Sequence, residues 1–255
     1  MTITFLGTGT SQGVPVIACD CPVCKSTDPR DKRLRSSISI ETDGQRIIID
    51  CGPDFRQQML REQITSIDAI LMTHGHKDHL GGLDDVRAFN YINKSPAHVY
   101  AAREVQKMIK LEFSYAFKKE PYPGVPEIIL HLLKNEPFYL NGLKILPIHA
   151  LHFNKNKFVY GFRIHDFTYI TDAVKISEKE KRKIRGSKIF VINALRKKKH
   201  YSHFNLEEAL DLMQEIKPER GFITHISHQM GCYRDINPEL PEFVQLAYDG
   251  LKITF

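Results

Sequence analysis

The chain of 255 residues has no run of eighteen or more apolar residues, so nothing in it is long enough to cross a bilayer as a helix. Its N-terminus shows no signal-peptide pattern, because Asp20 and a group of cysteines follow a strand-like start. These absences predict a cytoplasmic protein with no membrane partner. Repeats, long linkers and low-complexity tracts are missing too. That leaves one domain over residues 1–255, 42% hydrophobic and 26% charged, with room for a sizeable core. Cysteine is scarce. Five is an odd number and Cys19, Cys21 and Cys24 fall within six residues, which disfavours a disulfide framework and favours metal ligation.

The formal charge of +6 is concentrated in runs such as Lys179 to Arg185 and Arg196 to His200. A basic surface suits anionic partners, phosphates and nucleic acid among them, but lysine runs are more often solvated faces, so nucleic acid is not favoured.

The most informative stretch is Thr73-His74-Gly75-His76-Lys77-Asp78-His79, directly after the apolar run Ile67 to Met72. Neutral imidazoles and an ionised carboxylate are usual ligands for zinc and manganese, and four so close together can serve two ions. In an extended or turning segment His74 and His76 can converge on one ion while Asp78 and His79 turn toward a second. Gly75 is expected to let the loop bend, and Gly81-Gly82 to let a following helix approach closely.

Strand patterns are expected at Ile3 to Leu6, Ser37 to Glu41, Arg46 to Asp50 and Ala69 to Thr73, with Asp43-Gly44 as a hairpin turn. Helices are expected at Leu83 to Ile92 and Ala102 to Leu111, with a short strand His98 to Tyr100 between them, and residues 118 to 127 read as a proline-broken loop. Further strands are expected at Lys144 to Ile148, Phe158 to Ile164, Phe167 to Thr171, Lys188 to Asn193, Gly221 to Thr224 and Leu251 to Phe255. Helices are expected at Ser177 to Ile184 and Leu206 to Ile216, the second opened by Asn205 as N-cap and Glu208 at the capping-box position.

His74-x-His76-x-Asp78-His79 resembles the signature of the metallo-β-lactamase fold superfamily. The opening Thr2-Ile-Thr-Phe-Leu-Gly-Thr-Gly-Thr-Ser-Gln-Gly-Val-Pro15, the cluster Cys19-Asp-Cys21-Pro-Val-Cys24 and Ile49-Asp-Cys-Gly-Pro-Asp54 are similar to one branch of it. That branch contains the cyclic phosphodiesterase of the carbon-phosphorus lyase pathway, and the tRNA 3′-processing endonucleases are its relatives. The resemblance implies an α/β (α+β) chain folded as a four-layer αββα sandwich, which two strand-rich halves with helices also suit.

It also implies the remaining ligands. Tyr169-Ile-Thr-Asp172 matches the family's bridging carboxylate, His225 completes the second ion, and His228 turns toward a different metal. Three thiolates need one neutral ligand for a closed tetrahedral zinc site, so Cys19, Cys21, Cys24 and His228 form a structural zinc site by this reading. The third histidine of the first ion is His149 or His152, which spacing alone does not separate; the family pattern selects His152. His203 is the best candidate for a histidine that is not a ligand, acting as general acid or holding a phosphate oxygen. His200 is expected to be exposed, and Cys51 and Cys232 to be ordinary core or loop residues.

The leading expectation is a phosphodiesterase with two catalytic divalent ions, zinc or manganese, and one structural zinc, acting on a small cyclic or terminal phosphodiester. Two dications neutralise the diester's charge, Asp78 or Asp172 helps to supply the nucleophile, and His203 assists departure. A tRNA 3′-processing endonuclease is the first alternative, although no long glycine- and lysine-rich arm is present. A thioester or lactone hydrolase is the second, and a zinc-stabilised binding protein sits poorly with a complete ligand set. On analogy alone a homodimer is expected.

Overall fold

Asp43 and Gly44 both take positive φ, 50° and 72°. Such a turn twists in the sense that the flanking strands require, and it pairs Thr42 with Gln45 and Glu41 with Arg46. This hairpin lies within the first of two units in a computed structural model that describes residues 1–153 and 157–255.

The first unit comprises Met1–Gly7, Arg35–Lys134 and Gly250–Phe255. Its seven-stranded sheet runs Lys252–Thr254, Thr2–Gly7, Ser37–Thr42, Gln45–Ile49, Ala69–Leu71, Ala97–Ala101, Ile128–Leu132. The first four strands pair antiparallel and the rest parallel. Parallel neighbours need long crossovers, which the helices Phe55–Arg61, Arg87–Asn93 and Arg103–Glu112 supply. Ile47, Ile48 and Ile49 are all fully buried, as a strand covered on both faces requires.

The second unit comprises Thr8–Leu34 and Asn135–Asp249. Its sheet runs Lys175–Ile176, Leu143–Phe153, Lys157–Ile164, Phe167–Tyr169, Ile189–Asn193, Arg220–Thr224, Val244–Leu246, with Phe138–Leu140 added beside Leu143–Phe153. Helix Leu206–Ile216 has the expected bounds, and Asn205 and Glu208 exchange the two bonds of a capping box. Among the described residues no helix is long and apolar enough to cross a membrane.

Several expected bounds change. The strand expected to stop at Ile148 continues to Phe153, because its pairing with Lys157–Ile164 persists through Leu151 and resumes at Phe153. The helix expected over Leu83 to Ile92 is a 3₁₀ turn Leu83–Val86 followed by helix Arg87–Asn93. Helix Phe55–Arg61 escapes the sequence reading because it is short and its N-cap, Asp54, makes no capping bond. That carboxylate accepts instead from the Arg35 backbone and guanidinium, at 2.8 and 2.9 Å. The short strands Ile128–Leu132, Phe138–Leu140, Lys175–Ile176 and Val244–Leu246 are also additional to those expected.

Replacing Asn205 with alanine removes half of the capping box. It is expected to lower unfolding free energy by about 1 kcal/mol. The readout is a lower urea midpoint at unchanged slope, and an unchanged midpoint would count against the cap.

Candidate metal centre

In the first unit the chain leaves strand Ala69–Leu71 through Thr73 and His74 and turns into the short helix Lys77–Leu80. The turn is fixed by Asp50, a fully buried carboxylate at the exit of strand Gln45–Ile49. It accepts from the Thr73 amide and hydroxyl, both at 2.8 Å, and from His79 Nδ1 at 2.7 Å. Burial pushes the Asp50 carboxyl up, and these bonds together with the His79 charge oppose it. A histidine that gives one ring nitrogen to a carboxylate has its other nitrogen aimed and made more basic, the usual support of a metal ligand.

His79 Nε2 lies 3.2 Å from Asp78 Oδ2. The His74 ring packs 4.5 Å from His76 and 4.3 Å from His79. The first unit therefore gathers three imidazoles and a carboxylate, with His74 and His79 buried and His76 exposed. Asp50 falls within Ile49-Asp-Cys-Gly-Pro-Asp54, and its signal in the sequence is an aspartate placed directly after three isoleucines.

Close backbone contact explains the glycines. A Cβ on Gly52 would stand 2.1 Å from the Asp78 carbonyl oxygen, and one on Gly82 would stand 2.0 Å from that of Gly52. At Gly75 the neighbour is a side chain instead of backbone: a Cβ there would stand 2.4 Å from the Met108 sulfur, which the flexible methionine can relieve by moving.

In the second unit Asp172 is 2% exposed and presents its oxygens to two histidines. Oδ1 lies 2.9 Å from His225 Nε2 and Oδ2 lies 3.5 Å from His203 Nε2. His203 stacks on His225 at 5.0 Å between centroids and meets His152 edge-on at 5.1 Å. Ligands of one ion, each about 2.1 Å from it, stand about 3.0–3.4 Å apart, so the Asp172–His225 spacing is close to a coordination edge. Buried imidazoles around a carboxylate are a donor set suited to zinc or manganese.

The extended strand separates the two candidates His149 and His152. Leu151 pairs with Phe158 and Phe153 with Lys157, which leaves His152 as the extra residue of a bulge. Bulges re-aim side chains. The His152 side chain is buried with Nδ1 3.2 Å from the Ser202 carbonyl oxygen. His149 packs instead against Phe158 and Tyr160, at 5.3 and 4.5 Å.

His200 is half-buried rather than exposed, because its Nδ1 lies 3.1 Å from the Ser202 hydroxyl and its ring packs on Tyr201.

The cysteine cluster lies wholly in the second unit. His228 Nδ1 is 3.3 Å from Cys19 Sγ, 3.4 Å from Cys21 Sγ and 3.6 Å from Cys24 Sγ. A tetrahedron with zinc–sulfur and zinc–nitrogen bonds of ordinary length has sulfur–nitrogen edges of about 3.6 Å, so these residues fit zinc. The Cys24 amide, donating to Cys21 Sγ at 3.4 Å, leads in holding the Cys21 thiol down to about 6. Burial pushes the Cys24 thiol up to about 11. Cys232 is buried in the same small cluster, where burial raises its thiol, and Cys51 is fully buried in the first unit.

Residues 45–226 match the family model described as the beta-lactamase superfamily domain. Over its whole length the chain is 39% identical to a solved structure described as a new diphosphatase from the PhnP family, covering 97% of that chain with a TM-score of 0.92. Zinc-bound PqqB from Methylobacterium extorquens shares the fold at 20% identity and TM-score 0.82, with each chain fully covered. A Porphyromonas gingivalis protein named octanoyltransferase is 39% identical over 99% of this chain. The chain spans about half the length of that relative, 51%.

Asp50→Asn is expected to weaken metal binding at the histidine and aspartate ligands about 10- to 100-fold while zinc at the cysteines is kept. A chelator competition followed by elemental analysis reads both, and undiminished affinity would remove Asp50 from this role. Cys21→Ser is expected to lose one zinc per chain and to lower the melting temperature; equal zinc content in the two proteins would sink the cysteine site.

Proposed function

This chain belongs to the beta-lactamase superfamily and has the metallo-β-lactamase fold, and we propose that it is a metal-dependent hydrolase, a phosphodiesterase for a small cyclic or terminal phosphodiester. The observation that carries this reading is the full-length similarity to the PhnP-family diphosphatase. The cysteine and histidine geometry supports the same branch. We assign His74, His76 and His152 to one ion and Asp78, His79 and His225 to the other, with Asp172 shared and residues 1–255 acting as one domain. Zinc or manganese suits both positions, and a third, structural zinc belongs to Cys19, Cys21, Cys24 and His228.

Two divalent ions in these positions would supply charge neutralisation of the diester and acidification of a water. The protein's own groups do the rest. Asp172 is buried and accepts from the Thr171 hydroxyl at 2.9 Å, so its negative charge is held in place beside the imidazoles. Asp78 lies beside His79 Nε2 and is placed to accept a proton from the attacking water. His203 Nδ1 lies 2.8 Å from the Ser202 hydroxyl and its Nε2 faces Asp172, which leaves Nε2 as the ring atom on the side of the candidate metal centre, in place to give a proton to the departing oxygen.

A second reading, hydrolysis of an acyl thioester, draws on the name of the Porphyromonas gingivalis relative. It is weaker because that name belongs to a protein twice as long.

The test is turnover on bis-p-nitrophenyl phosphate, a 2′,3′-cyclic nucleotide, a precursor tRNA and an acyl thioester, each with manganese and with zinc. Asp172→Asn is expected to abolish diester cleavage and lower bound metal. His203→Ala is expected to keep the metal and slow cleavage roughly 100-fold or more. Activity on tRNA or thioester alone would overturn the reading, and metal loss in the His203 variant would make that residue a ligand.

A further inference from the structure

The histidines beside Asp172 continue outward as a band of rings. His203 packs against His200 at 5.2 Å between centroids, and His200 lies nearly flat on Tyr201 at 4.3 Å and 29°. Tyr201 meets Phe153 edge-on at 5.2 Å and 78°, and Phe153 directly follows His152. The band thus leaves the site beside two of its histidines and ends in a tyrosine that is 72% exposed. A single exposed aromatic is ordinary on a protein surface. This one differs in its backing. The Ser202 hydroxyl lies 3.1 Å from His200 Nδ1 and 2.8 Å from His203 Nδ1, so the ring beneath Tyr201 is fixed to the ring that faces Asp172. Burial lowers the pKa of His200, with the neighbouring His203 and Arg196 charges adding to it.

We propose that Tyr201, braced by His200 and Phe153, is a stacking platform for a planar ring, a nucleobase, carried on the leaving-group side of the substrate. The side follows from His203: the platform extends from the histidine assigned to the departing oxygen. The proposal rests on the phosphodiesterase reading and narrows its substrate to a diester bearing a nucleoside. A phosphorylated sugar without a base has no flat face to set against Tyr201, whereas every base has one, and alanine in place of a stacking aromatic characteristically weakens such binding tenfold or more.

The deciding experiment is calorimetric titration of adenosine monophosphate and of ribose 5-phosphate into the metal-loaded protein. Adenosine monophosphate is expected to bind about tenfold tighter, a difference of about 1.4 kcal/mol. Tyr201→Ala should erase that preference and Tyr201→Phe should keep it. Equal affinity for the two ligands in the wild type, or a preference that survives in Tyr201→Ala, overturns the platform. Turnover of bis-p-nitrophenyl phosphate by the same preparation separates the two ideas. Turnover without base preference overturns the platform alone, and base preference without turnover upholds the platform while overturning the phosphodiesterase.

Discussion

Three residues of the site leave their strands through left-handed backbone: Asp50 at φ 64°, Asp172 at 57° and His225 at 56°. This conformation costs an ordinary residue on the order of 1 kcal/mol or more, and it persists only where the surroundings over-determine it. The surroundings here are buried strands. Asp50 follows three fully buried isoleucines, and His225 follows Phe222, Ile223 and Thr224, all at most 1% exposed. The reversal turns each side chain abruptly off the strand. Aspartate tolerates the left-handed region better than most residues, which suits it to two of the three positions. Histidine shares this tolerance, and the place of His225 is further held by neighbours on both sides.

Those neighbours connect the two candidate ligand groups in the second unit. The Ile226 amide donates to the Thr8 carbonyl at 2.8 Å, the Thr10 amide donates back to Ile226 at 3.1 Å, and the Ser227 amide donates to Leu195 at 3.0 Å. His228 then meets the three cysteines. A segment of four residues therefore carries an Asp172 partner at one end and the cysteine-site histidine at the other. The N-terminal loop is bonded to it both by backbone and through the cysteines. The cluster of Cys19, Cys21, Cys24 and His228 is thereby tied to the segment that carries His225.

Periodicity made most strands legible, because buried strands of isoleucine, valine and phenylalanine bounded by turns admit few other readings. The paired signals were the most exact: Asp43-Gly44 with the hairpin, and Asn205 with Glu208 at the start of a helix that has the expected bounds. Candidate ligands were suggested by chemistry, since histidine, aspartate and cysteine at such spacings have few structural uses, and the structure brings Cys19, Cys21, Cys24 and His228 together. What could not be read was any role set by a distant partner. Asp50 acquires its role from His79, 29 positions away, through a hydrogen bond that no local pattern encodes. The His152 bulge depends on register against another strand, and the support beneath Tyr201 depends on how a loop returns to Ser202.

Charge shows the same division between local and distant control. The run Lys179 to Arg185 suggests a cationic face when read alone, yet its members are largely matched by carboxylates. Lys181 pairs with Glu178 and Glu215, Lys183 with Glu180, and Arg185 with Glu178 and Glu215. Glu178 and Glu180 lie within the run's own helix and were visible in the sequence; Glu215 comes from helix Leu206–Ile216 and was not. Exposed pairs of this kind add little stability singly, but they cancel the field that would draw a polyanion to this helix. The formal charge of +6 is therefore a poor guide to the partner. On the phosphodiesterase proposal, selection of a substrate falls instead to groups of fixed geometry, the buried Asp172 carboxylate with its neighbouring imidazoles and the ring band that ends in Tyr201.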